Sequence, residues 1–276
     1  MPLRIFKYRS NCGVQLVTFL HGFVFIAEFY FFPLYFRAVR GSSPLLSGVY
    51  VLLSALETGL AAVVTGIFIG ATGQYLPPIY TSFAMVLLGY GLLIDLDANS
   101  GWANLIVFQI IVGIGVRPNF QAPLVALQTH ILPSDIAVGT ATFNFIRNIG
   151  SSTSVIIGQV VFQNQMARTQ PQLIAALGPA TAARLNGANA GANTQVIDAL
   201  PPAQRAVARA AIAHSLRPMW IMYTCFAAVA LLSVLLIKRT QLTSKHEEME
   251  VGLEAEKKNA AARKAEKETK DLEKGR

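Results

Sequence analysis

Ionisable side chains stand inside four of the long apolar runs of this sequence. The run 14–36 holds His21 and Glu28, seven residues apart and therefore on one helical face. Later runs hold Glu57, Arg117 and Arg147. In hydrocarbon such a group costs about 2.5–3.5 kcal/mol, so it turns toward a cavity or a partner. A carboxyl out of water can hold and exchange a proton, which makes Glu28 the proton-site candidate. His21 has two readings, a satisfied structural histidine or a second proton carrier.

Polar residues recur in two stripes. Gly113, Arg117, Gln121, Leu124 and Gln128 recur at helical spacing, with Asn119 and Phe120 beside them. Thr140, Asn144, Arg147, Ser151 and Ser154 follow at intervals of four, three, four and three. Pro118 and Pro123 interrupt the first stripe, freeing carbonyls that can meet a ligand or allow bending. Asn119, Gln121, Gln128 and Asn144 are either contacts for a substrate or glue between helices. Phe25 and Phe120 are either an aromatic wall for that substrate or core packing. Gly150 and Gly158 allow close helix packing.

Other chemistries lack their residues. No catalytic triad, paired-carboxylate site or metal cluster is present, and the Gly113/Gly115 pair follows no strand. Cys12 and Cys225 have no disulfide or metal-ligand spacing. Neither catalytic residues nor metal ligands are assigned.

The elements that must place these groups are membrane spans. The chain of 276 residues is 53% hydrophobic and 14% charged; a soluble domain has about 25% charged residues. A span needs about 20 mainly apolar residues. Six runs qualify: Val14–Phe36, Leu45–Ile69, Pro78–Leu96, Trp102–Leu127, Ile136–Phe162 and Met219–Ile237. Helix is the form that satisfies the backbone of an isolated segment in lipid. The fold class is an all-α, integral membrane six-helix bundle. Gly/Pro/Asp/Asn clusters mark the short connections.

The domain reading is a cytoplasmic segment 1–13, five spans within 14–162, an extracellular loop 163–218 with short helices, a sixth span 219–237 and a charged cytoplasmic tail 238–276. Pro201 and Pro202 mark a helix start in that loop. Arg4, Lys7, Arg9, Lys238 and Arg239 place both ends inside by the positive-inside rule, although Arg37 and Arg40 then lie outside. Trp102 and Trp220, at span ends, read as an aromatic belt. The net charge of +8 is scattered, and residues 238–276 carry 11 basic and 9 acidic residues, so no nucleic-acid surface follows. Spans one, two, four and five carry the ionisable groups. They should line a cavity or interface, while spans three and six face lipid.

The run 113–123, GIGVRPNFQAP, resembles a motif of fungal major facilitator superfamily efflux transporters, in the fourteen-span drug:proton antiporter branch. PLYF at 33–36, SPLLSGV at 43–49, TGQYLPP at 72–78, FIRNIG at 145–150 and SLRPMW at 215–220 are similar to further segments of that family, in order. The resemblance covers about residues 3–240 and implies the C-terminal half of such a protein.

It further implies export of toxins or drugs by alternating access, driven by a proton gradient, with no other cofactor and no enzymatic activity. Its partners would be the lipid bilayer, a small-molecule substrate, and the missing N-terminal half or a second copy. The expected location is the plasma membrane, with the vacuolar membrane as the alternative. The other reading is a truncated, non-transporting scaffold or gene remnant. Arg117 stands where the family generally has glycine, and Glu57 lies in an ordinarily neutral helix. Their similar depth predicts a compensating Glu57–Arg117 pair.

Overall fold

The computed structural model describes residue 6 and residues 8–240 except 188, with backbone alone at 51, 53–58, 190 and 192. Every regular element among the described residues is helical. Six long helical segments make up the bundle: α1 (Arg9–Ala38), α2 (Pro44–Thr72), α3 (Leu76–Leu93), α4 (Trp102–Val116) continued by α5 (Ala122–Gln128), α6 (Ile136–Leu177) and α10 (Pro202–Ser233). Three short helices, α7 (Pro179–Arg184), α8 (Asn189–Ala192) and α9 (Thr194–Asp198), connect the last two.

The local sequence sets these limits. Ser43 caps α2 by accepting from the Leu46 N–H at 3.2 Å, and Pro44 occupies the first turn, where its missing N–H costs nothing. Gly73 ends the helix at φ +64°, a conformation that suits glycine. Pro77 and Pro78 open α3 in the same manner as Pro44.

α1 is the central element, packing against α2, α4, α5, α6 and α10. Val17, Phe23, Val24, Ala27, Phe31 and Phe32 are all buried, as in a surrounded helix, and Asn11, Gln15, His21 and Glu28 are buried with them. Its closest neighbour is α6. A Cβ on Gly22 would strike the Arg147 carbonyl, and one on Gly150 would strike the Phe19 carbonyl. The missing side chains let the two backbones touch. Ser151 Oγ donates to the Gly22 carbonyl at 3.0 Å across the same crossing.

Two polar seams close the ends of the bundle. At one, Lys238 N–H donates to Ser10 Oγ, while Tyr75 Oη donates to the Lys238 carbonyl and Thr240 meets His130. At the other, Tyr35 Oη donates to the Asp97 carbonyl, Arg40 to the Ser100 carbonyl and Arg37 to Thr194.

Four described stretches are long and apolar enough to cross a membrane: Arg9–Ala38, Leu76–Leu93, Trp102–Gln128 and Pro202–Leu236. The Gly59–Thr72 part of α2 is apolar but shorter. α6 is diluted by Asn144, Arg147, Asn148 and Gln159; its place in the bundle rests on its tight packing along α1.

The helices outrun the hydropathy. The expected loop 163–218 contracts to 178–201, because α6 continues to Leu177 and α10 begins at Pro202. Residues 163–177 are rich in Gln, Ala and Leu, good helix formers. Met166, Thr169, Leu173 and Leu177 keep one face buried, against a cap that includes Leu185, Ile197 and Ile212. The start at Pro202 agrees with the Pro201–Pro202 signal.

Trp220 also departs from expectation. It is 1% exposed and stacks among Phe32, Tyr90 and Tyr223, so it belongs to the core. α3 and α10 do present Leu88, Val229 and Leu232 outward. They also bury Tyr90, Leu93, Trp220 and Tyr223 against each other and α1, so their lack of charge reflects core packing as well as lipid. Residues beyond 240, including most of the charged tail, lie outside the described residues.

Gly150→Ala and Gly22→Ala must each push α1 and α6 apart, and each is expected to cost about 1–3 kcal/mol. Gly70→Ala meets no atom within 4 Å and should be neutral or stabilising. Thermal unfolding of the three variants in detergent decides the matter; equal midpoints would show that the backbone contact is absent.

Candidate functional site

The fourth apolar run does not remain one α-helix, although α1, α6 and α10 each continue through a single internal proline. Pro118 and Pro123 each lack an N–H and crowd the preceding turn. α4 therefore stops at Val116, Arg117–Phe120 tightens into a 3-10 turn, and α5 restarts after Gln121. Irregular backbone at membrane depth needs substitute partners. Three carbonyls of this segment receive them from three different helices. Ser82 Oγ of α3 donates to Gly115, His21 Nε2 of α1 to Val116 at 3.0 Å, and Arg147 Nη2 of α6 to Phe120 at 3.3 Å. A carbonyl can only accept, so the Val116 contact places a proton on Nε2 of His21. Its Nδ1 is buried without a hydrogen-bond partner.

Arg117 leaves the 3-10 turn toward α1. Its Nη2 lies 3.4 Å from Glu28 Oε2, and the two side chains are 2% and 0% exposed. Its Cζ sits 5.5 Å from the centroid of Phe25 and 5.1 Å from that of Phe29. Arg147 is placed similarly, 4.7 Å from Phe120 and 4.6 Å from Phe143. Phe25 and Phe120 meet edge to face at 4.8 Å, and His21 meets Phe120 edge-on at 4.8 Å. The result is a continuous path of guanidinium, ring, ring and guanidinium. A desolvated cation–π contact is worth about 2 kcal/mol, so the rings offset part of the cost of burying both arginines.

Asn119 shares the break. It is 1% exposed, and neither its amide nitrogen nor its oxygen has a hydrogen-bond partner. The remaining sequence candidates lie apart. Gln121 is exposed near Gly66 of α2. Gln128 Nε2 reaches Thr140 Oγ1 at 3.4 Å, a link between helices. Asn144 is exposed on α6. The Glu57 side chain lies outside the described residues, and the described carboxylate beside Arg117 is that of Glu28. Ser151 and Ser154 bond to the Gly22 carbonyl and Tyr223, so both join helices.

Phe29 and Phe143 escaped the sequence reading. Each stands four residues from a site residue on its own helix, Phe29 from Phe25 and Phe143 from Arg147. For Phe143 the available signal was an aromatic ring at that spacing from an arginine inside an apolar run; for Phe29 it was the i, i+4 spacing from the candidate Phe25. Among the described residues no group of three or more His, Cys, Asp or Glu could hold a metal ion.

A helical membrane bundle with a proline-broken helix and a charge pair buried among rings is a transporter-type architecture. No family model matches the chain. It is 59% identical over 274 residues to the Efflux pump dotC of Dothistroma septosporum, covering 99% of this chain and 47% of that protein. It is 46% identical to the MFS-type transporter ppz2 of Metarhizium majus, covering 98% and 47%. It is 33% identical to the MFS-type transporter pydD of Acremonium sp, covering 95% and 46%. The chain belongs to the major facilitator superfamily transporters, with fungal relatives, and is a membrane protein. It spans about half the length of the curated relatives it matches.

Removing one member of the buried pair takes an ionic contact from the other. Arg117→Gln and Glu28→Gln should each cost about 3–5 kcal/mol, and the double variant less than their sum. Additive losses in thermal unfolding would show that the two side chains do not interact.

Proposed function

We propose that this chain forms the C-terminal half of an exporter of small hydrophobic molecules such as toxins or drugs, coupled to inward proton flow. The observation that carries the reading is the Glu28–Arg117 pair packed among Phe25, Phe29 and Phe120 at the break in α4–α5. The relatives named as efflux pumps support it. Phe25 and Phe120 supply an apolar wall, and Asn119 offers one donor and one acceptor for orienting a substrate. Gln121 and Asn144 stand exposed for contacts with substrate or with the other half, and Gln128 holds α5 to α6.

Glu28 is the proton carrier in this reading. As a carboxylate it holds Arg117 and, through it, the 3-10 turn. Protonation removes the ionic part of that attraction and frees the turn to shift relative to α1. Arg147, bonded to the Phe120 carbonyl from α6, keeps the wall attached while the turn moves. The partner is an N-terminal half, or a second copy facing the first. The membrane is the plasma membrane, with the vacuolar membrane as the alternative. The chain acts as a transporter and not as an enzyme, since transport needs positioned charges and rings and breaks no substrate bond.

The test is reconstitution in liposomes with an imposed proton gradient and an apolar fluorescent dye. The chain paired with an N-terminal half should move the dye against its gradient, and the chain alone should not. Glu28→Gln in the pair should reduce gradient-driven flux at least about tenfold, as expected for loss of a proton-transfer group. Flux unchanged by Glu28→Gln would remove the proton role. A stable chain inert with every partner would favour a non-transporting scaffold.

A further inference from the structure

Far from the broken helix, a cavity of about 720 Å³ opens at the end of the bundle where α1 finishes and α10 begins. Arg40, Asn99, Pro202, Arg205 and Arg209 are among its lining residues. Residues 202, 205, 206 and 209 fall on one face of α10, at helical spacing. Gly41 makes room for the third arginine. It sits at φ +69°, and a Cβ there would collide with the Arg209 guanidinium.

These arginines are partly struts. Arg40 Nη1 donates to the Ser100 carbonyl at 3.0 Å. Arg205 Nη2 donates to the carbonyls of Asp198 and Leu200 at 2.8 and 3.0 Å. Arg209 Nη2 lies 3.4 Å from Asp198 Oδ1. Each guanidinium carries about five N–H donors, so strutting uses a minority of them. The Nε atoms of Arg205 and Arg209 are buried with no hydrogen-bond partner.

The charge is not balanced locally. Asp198 is the carboxylate bonded within the cluster, and it is 56% exposed. Asp97 accepts from the Asn99 N–H at 2.8 Å and from Ser100 Oγ at 3.1 Å. It lines an adjoining crevice of about 250 Å³ with Asp95, His214 and Arg217, and the two share Ala98, Asn99 and Ala210 as lining. Three guanidiniums therefore face the larger cavity against one bonded carboxylate, while Asp95 and Asp97 line the adjoining crevice.

Depth narrows the ligand. Arg40 Cζ stacks 4.6 Å over Trp102, which is 40% exposed. A tryptophan at a span end marks the level of the lipid headgroups, where phosphates lie. Planar guanidinium groups match phosphate oxygens in pairs.

We propose that this cavity is a binding site for a phosphate-bearing anion, with Arg40, Arg205 and Arg209 as its ligands. An anionic phospholipid headgroup and free phosphate share that chemistry. The volume exceeds the need of a bare phosphate and leaves room for a glycerol headgroup.

The test uses the purified full chain in neutral detergent, with binding read by native mass spectrometry and thermal shift. The probes are dioleoyl phosphatidylglycerol, dioleoyl phosphatidylcholine and inorganic phosphate. Phosphatidylglycerol should bind about tenfold tighter than phosphatidylcholine, and more weakly as salt rises. Arg40→Gln and Arg209→Gln should each weaken it about tenfold, a loss of one charge-assisted contact. Arg217→Gln, in the neighbouring crevice, should not. Tight binding of inorganic phosphate in competition with the lipid would assign the site to a soluble anion; its failure to compete would assign it to the headgroup. Salt-independent lipid binding by the native chain, or full-strength binding by folded Arg40→Gln and Arg209→Gln, would overturn the proposal. The salt series on the native chain keeps the test decisive if a variant fails to fold.

Discussion

A backbone carbonyl in hydrocarbon has no water to turn to, and leaving it bare costs several kcal/mol. The rest of this bundle depends on that constraint at residues 115–120. Two prolines force the fourth crossing out of regular helix, and the carbonyls of Gly115, Val116 and Phe120 draw in Ser82, His21 and Arg147. Once Arg147 is committed to Phe120, its charge needs cover, and Phe120 and Phe143 supply it. Arg117 emerges from the same turn and needs an anion, so Glu28 is buried beside it. The polar centre of the molecule is the consequence of one interrupted helix.

Much of this was legible from residue type and spacing. Pro118 and Pro123 marked the break, and Glu28, Arg117 and Arg147 marked the spans that converge on it. Glycines at 22 and 150 permit the α1–α6 contact, although a sequence shows only the permission. What was not legible has physical reasons. Hydropathy registers where lipid begins and says nothing about where a helix ends, so α6 and α10 ran past their apolar cores into an Ala- and Gln-rich cap. Trp220 has the composition of a belt residue, and only the packing of Tyr90, Tyr223 and Phe32 around it makes it core. That Glu28 lies beside Arg117 depended on the relative rotation of two helices, which spacing within either helix does not fix.

The family resemblance carried by the 113–123 run agrees with relatives up to 59% identical over nearly the whole chain. It accounts for the bundle, yet the site is written in this chain's own residues. Gln128, a substrate contact or helix glue on sequence grounds, bonds to Thr140 of α6, and Ser151 and Ser154 likewise bond to other helices. Asn119 does not, and it is buried with its amide unsatisfied. The distinction between glue and recognition is therefore drawn residue by residue, by where each hydrogen bond goes.

The seam that joins Ser10, Tyr75, His130, Lys238 and Thr240 has a mechanical meaning. It stitches the opening turn of α1 to the exit of α10 and to two intervening turns. Staves bound in this way cannot splay like a fan at that end. A tie at that end favours motion of the bundle as a tilted block, with the break at Pro118 as a point where one stave can bend.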